Sequence, residues 1–360
     1  MAARVSRIGT RLTERVARAL QSAWWVTPQT PLANALRPLA AIYGGLARLH
    51  RALAQPQRLG VPVLVIGNLI VGGAGKTPTT IAIVQVLRAL GWRPGVVSRG
   101  HGRRGDGLVD VQTDSRAADC GDEPLLIRLR SGAPVVVARD RVAAARALLA
   151  AHPAVNLIVA DDGLQHHRLA RDAEVIVFDE RGIGNGLLLP AGPLREPMRT
   201  ERREGTLVLY NAASVSTLLP GWMAKRRLAG AVPLADWWQG RKPAVDSWQA
   251  LRGRPLLAVA GMAVPERFFD MLRDEGLDLA ATRALPDHDA FDTLPWRDGT
   301  PDVVLTEKDA VKLPPERVPQ HEGATRVWVV PLDFEPEVAF AAALKRHFPH
   351  PPKAQPDEPR

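Results

Sequence analysis

The stretch VPVLVIGNLIVGGAGKT, residues 61 to 77, most constrains what this chain can fold into. An unbroken apolar run leads into a glycine-rich turn and then into a helix-forming segment. Such runs are what parallel strands need when helices cover both faces of a sheet. Gly72, Gly73, Ala74 and Gly75 are small enough for backbone N–H groups to close around phosphate oxygens. Lys76 adds a charge for the β- and γ-phosphates. Thr77, followed by Pro78 at the helix start, offers a hydroxyl for magnesium. The short phosphate-loop spacing calls for glycine at position 70, where this chain has Ile70. Two readings therefore stand at this point, a nucleotide site and a glycine-rich turn.

The rest of the chain supports an α/β fold. Strand-like runs at 61–67, 94–98, 134–138, 156–161, 173–179 and 206–210 alternate with helical segments such as 77–90 and 140–151. That alternation predicts a phosphate-loop NTPase-like domain with a mostly parallel sheet, over residues 61–228. A second, smaller α/β domain is expected over 229–333, from runs at 255–261, 302–306 and 326–331. A C-terminal helix over 334–348 and a Pro-rich, charged, disordered tail over 349–360 complete the reading. The single cysteine, Cys120, cannot form an internal disulfide and reads as a buried free thiol.

Charge is unevenly spread. The chain carries a net +9, and residues 1–60 hold nine arginines against one acid, Glu14. Val5, Ile8, Leu12, Val16, Leu20 and Trp24 recur at helical spacing, as do Leu32, Leu36, Leu39, Tyr43 and Leu46. Thr30-Pro31 is a start signal for the second run. Arginine on one face and Leu and Trp on the other describe basic amphipathic helices lying on an anionic membrane surface. Packing on the chain's own domain and a transit peptide are the other readings of this segment. No zinc spacing, helix-turn-helix signal or RNA-binding signature accompanies the basic residues, so no nucleic-acid partner is expected.

A phosphate loop predicts a second apolar strand that ends in a metal-holding Asp. In NLIVADDGLQHH, Asp161 and Asp162 stand at that place. Adjacent carboxylates are costly unless cations or donors offset them. Asp122 and Glu123 in CGDEPLL open a helix, which helix capping explains equally well. Arg195 and Glu196 lie in the rigid loop LPAGPLREP, where Arg195 suits a phosphate clamp. His288 of PDHD is a lone histidine. In VLTEKD, Lys308 directly precedes Asp309, which is the wrong order for a guanine-specificity motif.

Together these motifs resemble the tetraacyldisaccharide 4′-kinase family, the lipid A 4′-kinases of Gram-negative bacteria. The matching stretches run from VPVLVIGNLIVGGAGKTP through GWRPGVVSRG, GDEPLL, VARDR, VADDGLQHHRL, LPAGPLREP, AVAGMAVPERFF and LPDHDAF to VLTEKDAVKL, over residues 61 to about 313. The family's loop shares the long spacing, so Ile70 is no departure from it. The resemblance implies transfer of the ATP γ-phosphate to the 4′-hydroxyl of tetraacyldisaccharide 1-phosphate, with Mg²⁺. It implies a protein held peripherally on the cytoplasmic face of the bacterial inner membrane; a monomer is the separate expectation for its assembly. It implies Lys76 and Thr77 on phosphate and metal, and Asp122 as general base oriented by His288, with Asp162 as the alternative base. Asp161, Asp162, Gln165 and His166 would surround metal and phosphate, with Glu123 close to the metal. Arg141, Arg195 and Glu196, with His166, would contact substrate. One departure is His101, where the family usually carries tyrosine. A phosphate-loop kinase of a soluble acceptor and a membrane-docked nucleotide switch are the competing functions.

Overall fold

The computed structural model describes residues 20–351 except 200, 245, 298, 301 and 320. The arginines at 4, 7, 11, 15 and 18, most of the first helical run and nearly all of the expected tail lie outside the described residues.

Fourteen strands are formed by the described residues. They are β1 (Val63–Gly67), β2 (Pro94–Ser98), β3 (Val109–Val111), β4 (Val135–Val137), β5 (Leu157–Ala160), β6 (Ala173–Asp179) and β7 (Thr206–Asn211). Then follow β8 (Trp222–Leu228), β9 (Val232–Pro233), β10 (Leu256–Ala260), β11 (Leu279–Ala284), β12 (Asp302–Thr306), β13 (Arg326–Val330) and β14 (Leu332–Pro336). Nine of them build one sheet in the order β14-β8-β7-β6-β1-β5-β2-β4-β3. All its pairings are parallel except those of the two edge strands β14 and β3. The central strands β1, β5, β6 and β7 are buried at every position, as their apolar runs require. Helices Lys76–Ala89 and Arg141–Ala151 supply cover for the sheet from Ile83, Val84, Leu87, Ala144, Ala145 and Leu148.

A second sheet has the order β11-β10-β12-β13-β9, parallel except for β9. Phe268, Phe269 and Leu272 of helix Pro265–Asp274 pack into its core. The chain passes between the sheets twice, after β8 and after β13, and Ala229 N donates to Pro331 O where the two passages meet. Residues 332–336, at the expected start of the terminal helix, extend the first sheet as β14, and the helix runs Val338–His347. Strand β8 lies in a stretch that reads as irregular because Lys225, Arg226 and Arg227 break its apolar pattern.

Helix Arg37–Leu53 lies against the first sheet's unit. Its inner face carries buried Ala40 and Gly44, and Gly44 sits so near Leu188 that a Cβ would come within 2.8 Å of it. Tyr43 Oη donates to Arg195 O at 3.0 Å. Its outer face exposes Leu39, Ile42, Leu46, Leu49 and Leu53, the last at 72%. No helix among the described residues is long and apolar enough to cross a membrane.

Candidate active site

The glycine loop joins β1 to helix Lys76–Ala89. Ile70 is fully buried there and bridges Leu194 in an antiparallel pair. Val71 N donates to Pro193 O and Arg195 N donates to Leu69 O at 2.7 Å. The first half of the loop is thus a stub of sheet laid along LPAGPLREP. A glycine at 70 would forfeit that burial, so the long spacing has a packing cause. The second half is the open cradle. Gly72 and Gly75 have φ of 94° and 81°, and a Cβ on Gly75 would fall 1.9 Å from Asn211 Nδ2. Asn211 Nδ2 donates to Ala74 O. Thr77 is buried in the first turn, beside Pro78, where the helix dipole favours an anion.

Lys76 Nζ donates to Asn68 Oδ1 at 3.3 Å and stands 3.9 Å from Asp162 Oδ1. Asp162, at φ 44°, receives Arg195 Nη2 at 2.9 Å. Arg195 also donates to Gln165 Oε1, and Gln165 Nε2 donates to Glu196 Oε1 at 2.8 Å. Arg141 is buried and donates to Asp162 O, while its Nε finds no partner. Burial holds the Arg141 guanidinium below its ordinary pKa. His166 Nε2 lies 3.5 Å from Asp140 Oδ1. Burial and the Arg141 charge lower its pKa.

Asp161 sits deeper, with Oδ1 accepting from Thr80 Oγ1 and Oδ2 from Ser98 Oγ. Burial and the Asp162 charge raise its pKa. Burial, with the Asp161 charge, pushes Glu123 up to about 7. Lys76 offsets part of the charge on both carboxylates, and the oxygen donors beside Thr77 have the chemistry of a Mg²⁺ site. The expected ligand set is not gathered as a cluster, however. Gln165 and Asp162 are engaged by Arg195, and among the described residues no three His, Cys, Asp or Glu side chains form a metal-sized group. Mg²⁺ often keeps several waters and takes only one or two carboxylates.

Asp122 and His288 come from different sheets' units, and Asp122 Oδ2 lies 2.8 Å from His288 Nδ1. Asp122 is 6% exposed at the start of helix Asp122–Ser131. Burial pushes its pKa up, but the His288 hydrogen bond and the Lys308 charge outweigh that and hold it below the usual range. The same hydrogen bond raises His288 against the opposing effect of burial. Lys308 Nζ lies 3.4 Å from His288 Nε2 and donates to Asp287 Oδ1 at 2.7 Å. A neutral imidazole with its proton on Nδ1 satisfies Asp122 and Lys308 together. The His101 ring meets the His288 ring edge-on at 5.9 Å. The pair opens onto a cavity of about 1100 Å³ between the two sheets' units, which Arg104, Arg116 and Arg317 also line.

Sequence reasoning missed Arg181, Asn211 and the role of Lys308 beside His288. Arg181 clasps Asp179 and donates to Gly73 O at 2.7 Å. Arg181 follows the C-terminal end of β6, beside β1, and Asn211 ends β7, the next strand out, at the sheet edge where ligands gather in open parallel sheets. That positional rule was the available signal.

The family model described as tetraacyldisaccharide-1-P 4′-kinase matches residues 32–349. Tetraacyldisaccharide 4′-kinase of Methylibium petroleiphilum is 62% identical over 320 residues, covering 87% of this chain and 89% of the relative. That of Leptothrix cholodnii is 53% identical over 336 residues, covering 92% and 96%. Among solved structures, LpxK from Aquifex aeolicus in complex with ATP is similar, with TM-score 0.71 and 23% identity. The match covers 88% of this chain and 99% of that one. At that identity the likeness establishes the shared fold.

Proposed function

The chain belongs to the tetraacyldisaccharide 4′-kinase family, and from that premise we propose that it moves the γ-phosphate of ATP to the 4′-hydroxyl of tetraacyldisaccharide 1-phosphate. The observation that carries the mechanism is the Asp122–His288 hydrogen bond, which joins the two sheets' units. Asp122 takes the proton of the attacking hydroxyl. His288 keeps its carboxylate oriented, and Lys308 keeps the His288 Nε2 side unprotonated. Lys76 and the helix N-terminus neutralise the triphosphate. Arg195 holds Asp162 and Gln165 in place and, with Arg141 and His166, presents cationic and N–H groups toward substrate anions. Thr77 with Glu123, Asp161 and Asp162 would hold Mg²⁺, which would offset the phosphate charge when bound. Phosphate transfer from labelled ATP to the tetraacyl acceptor in detergent micelles tests the reading. Hydrolysis without transfer would overturn it.

The acceptor's four acyl chains keep it in a bilayer, so the site must approach a membrane surface. We place the chain peripherally on the cytoplasmic face of the inner membrane; support for the peripheral contact comes from the outward apolar stripe of helix Arg37–Leu53, which also carries Arg37, Arg48 and Arg51. The same helix touches Arg195 and Glu196 through Tyr43 and Arg51. Docking the stripe therefore brings the clamp loop to the bilayer. Each leucine is worth about 1.5–3 kcal/mol on full burial. Leu46→Glu with Leu49→Glu is expected to weaken vesicle co-sedimentation by roughly 100-fold or more. The KM for lipid should rise while the KM for ATP holds. Unchanged co-sedimentation would remove the stripe from this role.

A further inference from the structure

A second basic site lies away from the glycine loop, where helix Arg37–Leu53 ends. A surface cavity of about 450 Å³ is lined there by Arg51, Arg58, Arg171, Arg199 and Arg203, with Glu174 in its floor and Asp172 and Glu204 as the other acids on its wall. Glu174 engages two of these arginines: Arg199 and, at 3.2 Å, Arg171. That fixes the floor and leaves the rim. Arg58 is 83% exposed and only 3.7 Å from Asp172, while Arg51 is 43% exposed and 3.9 Å from Glu196. Arg203 is exposed on the rim. Each rim arginine keeps donors for an outside acceptor. The cavity borders the apolar stripe directly, since Arg51 lies between exposed Leu49 and Leu53 and Ala54 lines the cavity wall. A bilayer that receives Leu49 and Leu53 brings its headgroups beside Arg51 and Ala54 on the cavity wall.

We propose that this cavity binds the phosphate of an anionic phospholipid headgroup, so that the enzyme docks by an apolar stripe and one seated lipid together. The assignment rests on the membrane reading of the stripe and adds to it a specific headgroup pocket. Guanidinium groups suit it because their fixed forks pair with phosphate oxygens two at a time, which ammonium groups do not.

The test uses the full chain and co-sedimentation with phosphatidylcholine vesicles, with and without phosphatidylglycerol. The wild type should prefer the anionic vesicles. Arg58→Ala with Arg203→Ala should lose about 10- to 30-fold of that preference, since each basic residue near an anionic surface contributes roughly fivefold. Binding to neutral vesicles should hold, and transfer in detergent micelles should stay at the wild-type level. Arg58→Lys with Arg203→Lys keeps the charge and should still lose part of the preference. A lysine pair equal to wild type would mean diffuse attraction and would overturn the pocket. Excess inorganic phosphate should compete for the guanidinium forks and displace the protein from the anionic vesicles more than chloride of equal ionic strength does. Equal displacement would mean diffuse attraction and would overturn the pocket. A wild type that binds both vesicles equally also sinks the pocket while leaving the stripe intact. One that binds neither sinks the membrane reading itself.

Discussion

Asp122→Ala is expected to lower kcat by about 10²- to 10⁴-fold, the range for removing a positioned general base, while the KM for ATP changes little. The residue bonds His288 and the backbone N–H of Glu123, and no glycine-loop group. Its loss should therefore leave the ground-state nucleotide contacts in place. His288→Ala should cost less, because the carboxylate would remain and only its orientation would be lost. His288→Gln retains a donor and should recover part of the deficit. An ordinary aspartate is a weak base, with a pKa of about 4, and here the His288 bond and the Lys308 charge hold it lower still. The site compensates by positioning, since the barrier in phosphoryl transfer is mainly a matter of alignment and charge. Asp162 is the other candidate base, but its carboxylate already accepts from Arg195 and faces Lys76. An Asp122→Ala enzyme with near-normal turnover would return the role to Asp162.

The pairing of Asp122 with His288 could not be read from spacing. The two residues are 166 positions apart, and each alone has a bland explanation. The family resemblance named them as partners, and the two-sheet architecture brings them together at one cleft. The parallel sheet itself was legible because β1, β5, β6 and β7 are buried on both faces and so read as continuous apolar runs. Strands β8 and β11 were not, because charged Lys225, Arg226 and Arg227 interrupt β8 and the side chains of β11, Arg283 among them, are largely exposed. Ile70 shows the same division. Short-motif reasoning treats it as a defect in the loop, whereas its fully buried side chain and its bridge to Leu194 make it part of the fold. That bridge ties the phosphate cradle to the arginine clamp, and Tyr43 ties the clamp to the apolar stripe. A loop motif alone carries no trace of such a connection, because it depends on a partner segment more than 120 residues away.

Lys76→Ala is expected to reduce kcat by about 10²- to 10³-fold, as loss of one preorganised donor at developing charge does. The reasoning starts from where the ammonium is held. Asn68 Oδ1 and Gly72 O accept from it at 3.3 and 3.4 Å, and it leans toward Asp162 at 3.9 Å. These long contacts leave it free to move onto phosphate oxygens when nucleotide enters. Removing it also takes a cation from the Asp161, Asp162 and Glu123 group, whose charges already disfavour one another. The variant should therefore bind ATP more weakly as well, unlike Asp122→Ala, and the two KM responses separate phosphate binding from base catalysis. Lys76→Arg should not rescue, because its planar fork is bulkier than the ammonium held between Asn68 and Gly72. The measurement is transfer to the lipid acceptor in micelles at saturating and limiting ATP, with thermal unfolding as a check on the fold. Retained transfer with an unchanged KM for ATP would mean that the glycine loop does not hold the reacting phosphate.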